Sequence, residues 1–217
     1  SSVTPSTGTL LKLLLHRLTD EDPESRSNAA YATGLLIQHS EDAGTYGPAY
    51  PEILRKLEPL LQTERARTLD NAAGCVSRMI TAHPDKVPIS DVLPVLVGLL
   101  PLKEDYEENA PIYQCIVGLY QAGNPTVQEL TPQLVPVFAA VLGEPKEQLE
   151  EETRAKLVET VKYIANKQPA LIQGHAVLAA LYVIEVKCAV SYGSRPGSTP
   201  RESKRRMCMP AAKVYTI

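Results

Sequence analysis

The residues Ser27-Asn28-Ala29-Ala30-Tyr31 return 43 positions later as Asp70-Asn71-Ala72-Ala73-Gly74. The leucines ahead of them keep the same offset, Leu11 with Leu54, Leu14 with Leu57 and Leu18 with Leu61. At a step of 39, Leu93, Leu96, Leu99 and Leu100 repeat Leu54, Leu57, Leu60 and Leu61, and Asn109-Ala110 follows. A fourth copy runs through Leu134, Val135, Val137, Val141 and Leu142 and on through Ala155, Leu157, Val158 and Val161. A chain that repeats itself every 40 residues or so is built from stacked supersecondary units, none of which can bury its apolar face alone.

Each unit reads as helix, turn, helix. Apolar residues at helical spacing predict first helices over 8–19, 49–63, 89–101 and 131–143, and second helices over 24–40, 66–83, 105–122 and 148–168. Prolines punctuate them: Pro23 follows Asp22 at a helix start, while Pro84, Pro125 and Pro169 come just after second helices end, with His83 and Asn124 in the stop regions. Pro59, Pro94 and Pro136 fall within first helices and should kink them or sit in their first turns. Ala29, Ala30 and Gly34, then Ala72, Ala73 and Gly74, then Ala110 and Gly118 offer small side chains where neighbouring second helices would approach closely. Two helices in about 40 residues is the HEAT or armadillo plan. The expected fold is therefore all-α, a HEAT-repeat α-solenoid of about four to five helical hairpins occupying 1–174, with repeats over about 8–44, 45–87, 88–128 and 129–172. Residues 175–190 form a candidate final helix. The Ser-, Pro- and Arg-rich stretch 191–217 is expected to be a disordered or aberrant tail from which no function is drawn. Because the sequence does not begin with Met, it reads as a fragment of something longer.

Composition agrees with helices: Leu and Ala dominate, and the aromatic share is 5%, low for a large β-sandwich or barrel. The four cysteines lack C-x-x-C spacing, and Cys75 and Cys115 fall inside apolar helical patterns, so a reducing compartment is expected and a zinc site is not. The longest apolar run, Ala176 to Ile184, is too short to cross a bilayer. His16, His39, His83 and His175 are scattered, without a spaced carboxylate or thiol partner. No phosphate loop of the G-x-x-x-x-G-K-[ST] frame and no G-x-S-x-G elbow is present. No catalytic, cofactor-binding or metal-ligating residue is expected, and the chain is not expected to be an enzyme.

Charge is the more telling property. Residues 175–217 carry a net +5, which leaves −8 on the preceding 174 residues, and an acidic body repels nucleic acid and attracts basic proteins. Its acids cluster at inter-helix turns: Asp20-Glu21-Asp22, Glu104-Asp105 with Glu107-Glu108, and Glu150-Glu151-Glu152. Acids near helix N-termini are favoured by the helix dipole and by capping, which accounts for them structurally. Stacking would also bring successive turns to one edge, making Glu104, Asp105, Glu107, Glu108, Glu150, Glu151 and Glu152 a candidate stripe for a basic ligand. Lys204-Arg205-Arg206 in the tail has the form of a nuclear localisation patch, a pattern common by chance.

Two stretches go beyond a generic array. Leu69-Asp70-Asn71-Ala72-Ala73-Gly74-Cys75-Val76-Ser77-Arg78-Met79-Ile80 resembles a signature helix of importin-β-type karyopherins. Leu100-Pro101-Leu102-Lys103-Glu104-Asp105-Tyr106-Glu107-Glu108 resembles a segment near the C-terminal end of the importin-4 and importin-5 branch of that family. Their order and spacing match, and Pro136-Val137-Phe138 with the Glu-rich helix 147–168 is similar to the last repeats of the branch. The resemblance covers about residues 8–172 and stops after Gln173. It implies a nuclear import receptor that shuttles between cytoplasm and nucleus, carries basic cargo such as histones or ribosomal proteins past nuclear pore proteins, and releases it on Ran GTPase. Ran would act through N-terminal repeats that this chain lacks, so cargo binding would fall to the acidic residues named above. The other reading is a HEAT scaffold module of a cytoplasmic complex, with no transport role. The two differ in whether the full-length chain carries Ran-binding repeats.

Overall fold

The computed structural model of the protein describes residues 4–180, apart from 42–45, 64, 144, 146 and 147. Among the described residues the regular structure is helical, and the helices come in pairs. Helix α1 (Thr4–Arg17) is followed by α2 (Pro23–His39), α3 (Tyr50–Leu57) by α4 (Ala66–Ala82), α5 (Ile89–Gly98) by α6 (Asn109–Gln121), and α8 (Thr131–Gly143) by α9 (Glu151–Lys167). Two five-residue helices, α7 (Pro125–Glu129) and α10 (Pro169–Gln173), sit in the connections after α6 and α9. This is the all-α solenoid that the repeat predicts.

The punctuation residues act as their chemistry dictates. Asp22 caps α2, its carboxylate accepting from the Ser25 amide at 2.9 Å and the Ser25 hydroxyl at 2.8 Å, with Pro23 at the first helical position where no amide is needed. Asn124 does the same for α7, its Oδ1 accepting from the Thr126 amide at 2.9 Å. Gly123, with φ 68, lies in the left-handed region that favours glycine, and so ends α6 and frees Asn124 to start the next turn. Pro59 sits in a 3₁₀ stretch, Glu58–Gln62, that tightens the end of the third helix, while Pro94 and Pro136 lie within α5 and α8. The 3₁₀ turn Tyr106–Glu108 likewise leads into α6, so the second helix of the third hairpin starts irregularly.

The second helices make one layer: α2 packs along α4, α4 along α6, and α6 along α9. Helix α4 is the most enclosed, with an unbroken buried run from Asp70 to Ile80. Ala29, Ala30, Ala72 and Ala73 are buried, as the small-residue pattern requires, and a Cβ on Gly34 would stand 3.0 Å from the Cα of Cys75, so the α2–α4 approach depends on that glycine. The third pair departs from the pattern: Ala110 is half-buried and Gly118 is exposed with open space beside it. The core is aliphatic with a few rings, Tyr50, Tyr113 and Phe138 being its largest fully buried members. Cys75 and Cys115 are buried free thiols, and burial pushes each up to about 12.

No helix among the described residues is long and apolar enough to cross a membrane. Of the candidate final helix 175–190, residues 176–180 are helical and the remainder lies outside the described residues, as does the tail 191–217.

Candidate binding surface

The acidic segment between α5 and α6 is shaped by α4, and the two family-like stretches prove to be one structural unit. Asp70, 3% exposed, sits in the second turn of α4 and its Oδ2 accepts three backbone amides of the following hairpin: Lys103 at 3.3 Å, Glu104 at 2.8 Å and Asp105 at 2.9 Å. A carboxylate on a nest of amides is a strong, charge-assisted arrangement, and here it folds the loop so that the side chains of Glu104 and Glu107 stand in solvent. Tyr106 adds a bond from its hydroxyl to the Lys103 carbonyl at 3.2 Å.

Two turns further along α4, Arg78 reaches the other end of the segment. Its guanidinium forms a two-pronged ion pair with Glu108, Nη1 to Oε2 and Nη2 to Oε1 at 3.1 Å, and both residues are buried, at 7% and 0% exposure. Its Nε donates to Gln38 Oε1 at 2.7 Å, and the ring of Tyr31 lies 5.7 Å from its charge centre. Gly74 provides the room, since a Cβ there would land inside the Glu108 carboxylate. Burial raises the Glu108 carboxyl above the usual carboxylate range more than the Arg78 hydrogen bond and charge lower it. The sequence reading set Glu108 beside Glu104 and Glu107 as a surface acid. The structure instead buries it on an internal cation, so its charge is already matched within the fold.

Above this buried pair lies an open concavity of about 650 Å³ whose lining includes Glu104, Asp105, Glu107 and Glu150, with Tyr106 and Tyr31. The stacking of α6 on α9 is what carries Glu150, at the start of α9, to the acids of the preceding hairpin. Asn109 spans the same junction, its Nδ2 donating to the Gln148 carbonyl at 2.7 Å. Tyr106 divides the concavity from a smaller cleft of about 130 Å³ between Leu102 and Val141.

The other predicted acids are placed differently. Glu151 and Glu152 are exposed on the first turn of α9 outside the concavity, and Glu152 is paired with Lys156 at 2.6 Å, whose hydrogen bond holds its carboxyl below the usual range. Asp105 is partly screened by Arg67, whose Nε lies 3.7 Å from its Oδ2, and Arg67 also reaches Glu24 at 3.9 Å. Asp20 and Asp22 are occupied locally, the first by Arg17 at 2.6 Å and the second as the α2 cap. Among the described residues, no group of three or more His, Cys, Asp or Glu could hold a metal ion.

Sequence reasoning missed Asp70, Arg78 and Tyr106 as makers of this surface. A signal for Arg78 was available: at the 43-residue step it stands opposite Leu35, so a cation occupies a position that is aliphatic in the preceding repeat.

No family model matches the chain. It is 44% identical to the "Probable importin subunit beta-4" of Schizosaccharomyces pombe over 83% of its own length and 17% of that protein's. It is 34% identical to "Importin-4" of Homo sapiens over 80% of the chain and 16% of that protein, and 31% identical to "Importin-4" of Mus musculus over 73% and 14%. The chain thus spans less than a fifth of the length of these relatives.

Proposed function

The chain is a homologue of the importin-4 branch of the importin-β-type karyopherins over most of its length, and from that premise we propose that it is part of a nuclear import receptor that docks basic protein cargo in the acidic concavity. The observation that carries the reading is the convergence of Glu104, Asp105, Glu107 and Glu150 from two hairpins around one open hollow, with Tyr106 exposed between them. Carboxylates that share a hollow raise the local concentration of a cationic partner and favour its lysine and arginine side chains over neutral ones. An aromatic face beside them adds a surface on which such a cation can rest.

Histones and ribosomal proteins are the cargo class this chemistry fits. In this reading Ran GTPase acts through other repeats of the longer receptor, nuclear pore proteins are met during transit, and the receptor shuttles between cytoplasm and nucleus.

The test is a fluorescence-anisotropy titration of the chain with a labelled histone-tail peptide at low and at moderate salt. Saturable binding that weakens with salt is expected, and the combined Glu104→Gln, Glu107→Gln, Glu150→Gln variant should bind about tenfold more weakly, the loss of a few exposed charge contacts. Absence of saturable binding at about tens of micromolar would remove the docking role from this surface. Glu108 is left unchanged in the variant because its loss would disturb the fold.

A further inference from the structure

In an array of stacked hairpins each unit ordinarily touches only its neighbours, so the units open and close semi-independently. Arg78 keeps to that rule but joins both of its unit's interfaces through one side chain. It belongs to the second hairpin, and it holds Gln38 and Tyr31 of the first and Glu108 of the third. We infer that Arg78 is a staple that makes the first three hairpins a single cooperative body, so that a disturbance of the acidic loop is felt in α2.

Three observations carry this. First, the contacts are directional: a guanidinium fork on a carboxylate, an Nε bond at 2.7 Å and a ring face satisfy all sides of one cation, whereas an aliphatic side chain at this place would tolerate sliding. Second, the fold makes space for the staple on both sides. A Cβ on Gly34 would lie 3.1 Å from the Arg78 Cδ, and one on Gly74 would lie 3.0 Å from its Nη1. Third, the corresponding residues of the adjoining hairpins, at the steps of 43 and 39, are Leu35 and Val117, so the cation is confined to the middle unit of the three. Opening the third hairpin would strip Glu108 from a buried guanidinium, and opening the first would strip away Gln38 and Tyr31. Either leaves a buried cation short of partners, which multiplies the cost of opening one unit alone and favours opening all three together.

Native-state hydrogen exchange of the full chain, followed by mass spectrometry in low urea, tests this directly. The peptides of α2, α4 and the segment 106–121 should share one opening reaction with one urea dependence. Replacing both charges, Arg78→Met with Glu108→Met, keeps the interior filled without a stranded ion. It should let α2 and 106–121 exchange out of step by about tenfold or more. A milder variant, Gln38→Ala with Tyr31→Leu, cuts only the link to the first hairpin and should speed exchange in α2 while leaving 106–121 unchanged. The inference is overturned if the wild-type segments already exchange by separate openings, or if they stay in step in either variant.

Discussion

At the scale of single residues, the molecule turns on what a glycine permits. Gly74 lies where any side chain would occupy the Glu108 carboxylate, so Gly74→Ala must drive Glu108 off Arg78 and strand two buried charges. The expected loss is about 3 kcal/mol or more, read as a lowered urea midpoint with an unchanged slope. Alanine elsewhere in a helix would ordinarily be stabilising, which makes the sign of this result diagnostic. Glu108 supplies a second prediction. Its carboxyl is raised in the folded protein, chiefly by burial, so the native state holds this proton to higher pH than the unfolded chain does. The stabilisation that the proton brings is complete in acid and is lost as pH rises through the native value. Glu108→Gln removes that dependence. The stability of the wild type relative to the variant should therefore fall as pH rises above the ordinary glutamate range, measured by paired urea titrations.

At the scale of elements, helix α4 is less a wall than a template. Its second turn organises the loop that follows α5 through Asp70, and its fourth turn anchors the end of that loop through Arg78. Asp70→Ala should cost about 3 kcal/mol, the loss of several charge-assisted bonds to amides that then face the interior unpaired. The same variant should speed backbone exchange at 103–105 before it affects the far end of the chain. The helices themselves were legible from the sequence because the apolar period, the prolines and the capping Asp22 and Asn124 are all local signals. What they support at the surface was legible only in part. Glu104 and Glu107 stand in solvent and Glu108 does not, and nothing in the run Glu104-Asp105-Tyr106-Glu107-Glu108 distinguishes them. The distinction is made 30 residues away, by the Arg78 that reaches Glu108 and the Gly74 that leaves it room. Likewise the sequence joined Glu150 to Glu151 and Glu152 as one cluster, whereas α9 aims the first into the concavity and leaves the other two outside it. Gly118 read as a close-packing residue because it matched the spacing, yet it is exposed with open space beside it.

At the scale of the whole molecule, what matters is where charge is left unmatched after folding. The 174 residues ahead of the basic tail carry a net −8, but Arg17, Arg67, Arg78 and Lys156 hold several of the acids in local pairs. The concavity keeps Glu104, Glu107 and Glu150 exposed. A field of this kind acts at a distance, so the association rate of a basic peptide should fall steeply when ionic strength is raised from about 0.05 to about 0.3 M, with a smaller change in dissociation. Stopped-flow mixing separates the two. The buried trio of Gly74, Arg78 and Glu108 has a further consequence, for heredity. No member can change alone without leaving a steric clash or a lone ion in the interior, so a drifting lineage meets a barrier at each single step. The three should be inherited as one character, lost or replaced together, and a library that randomises them jointly should yield survivors at combinations that stepwise mutation never reaches.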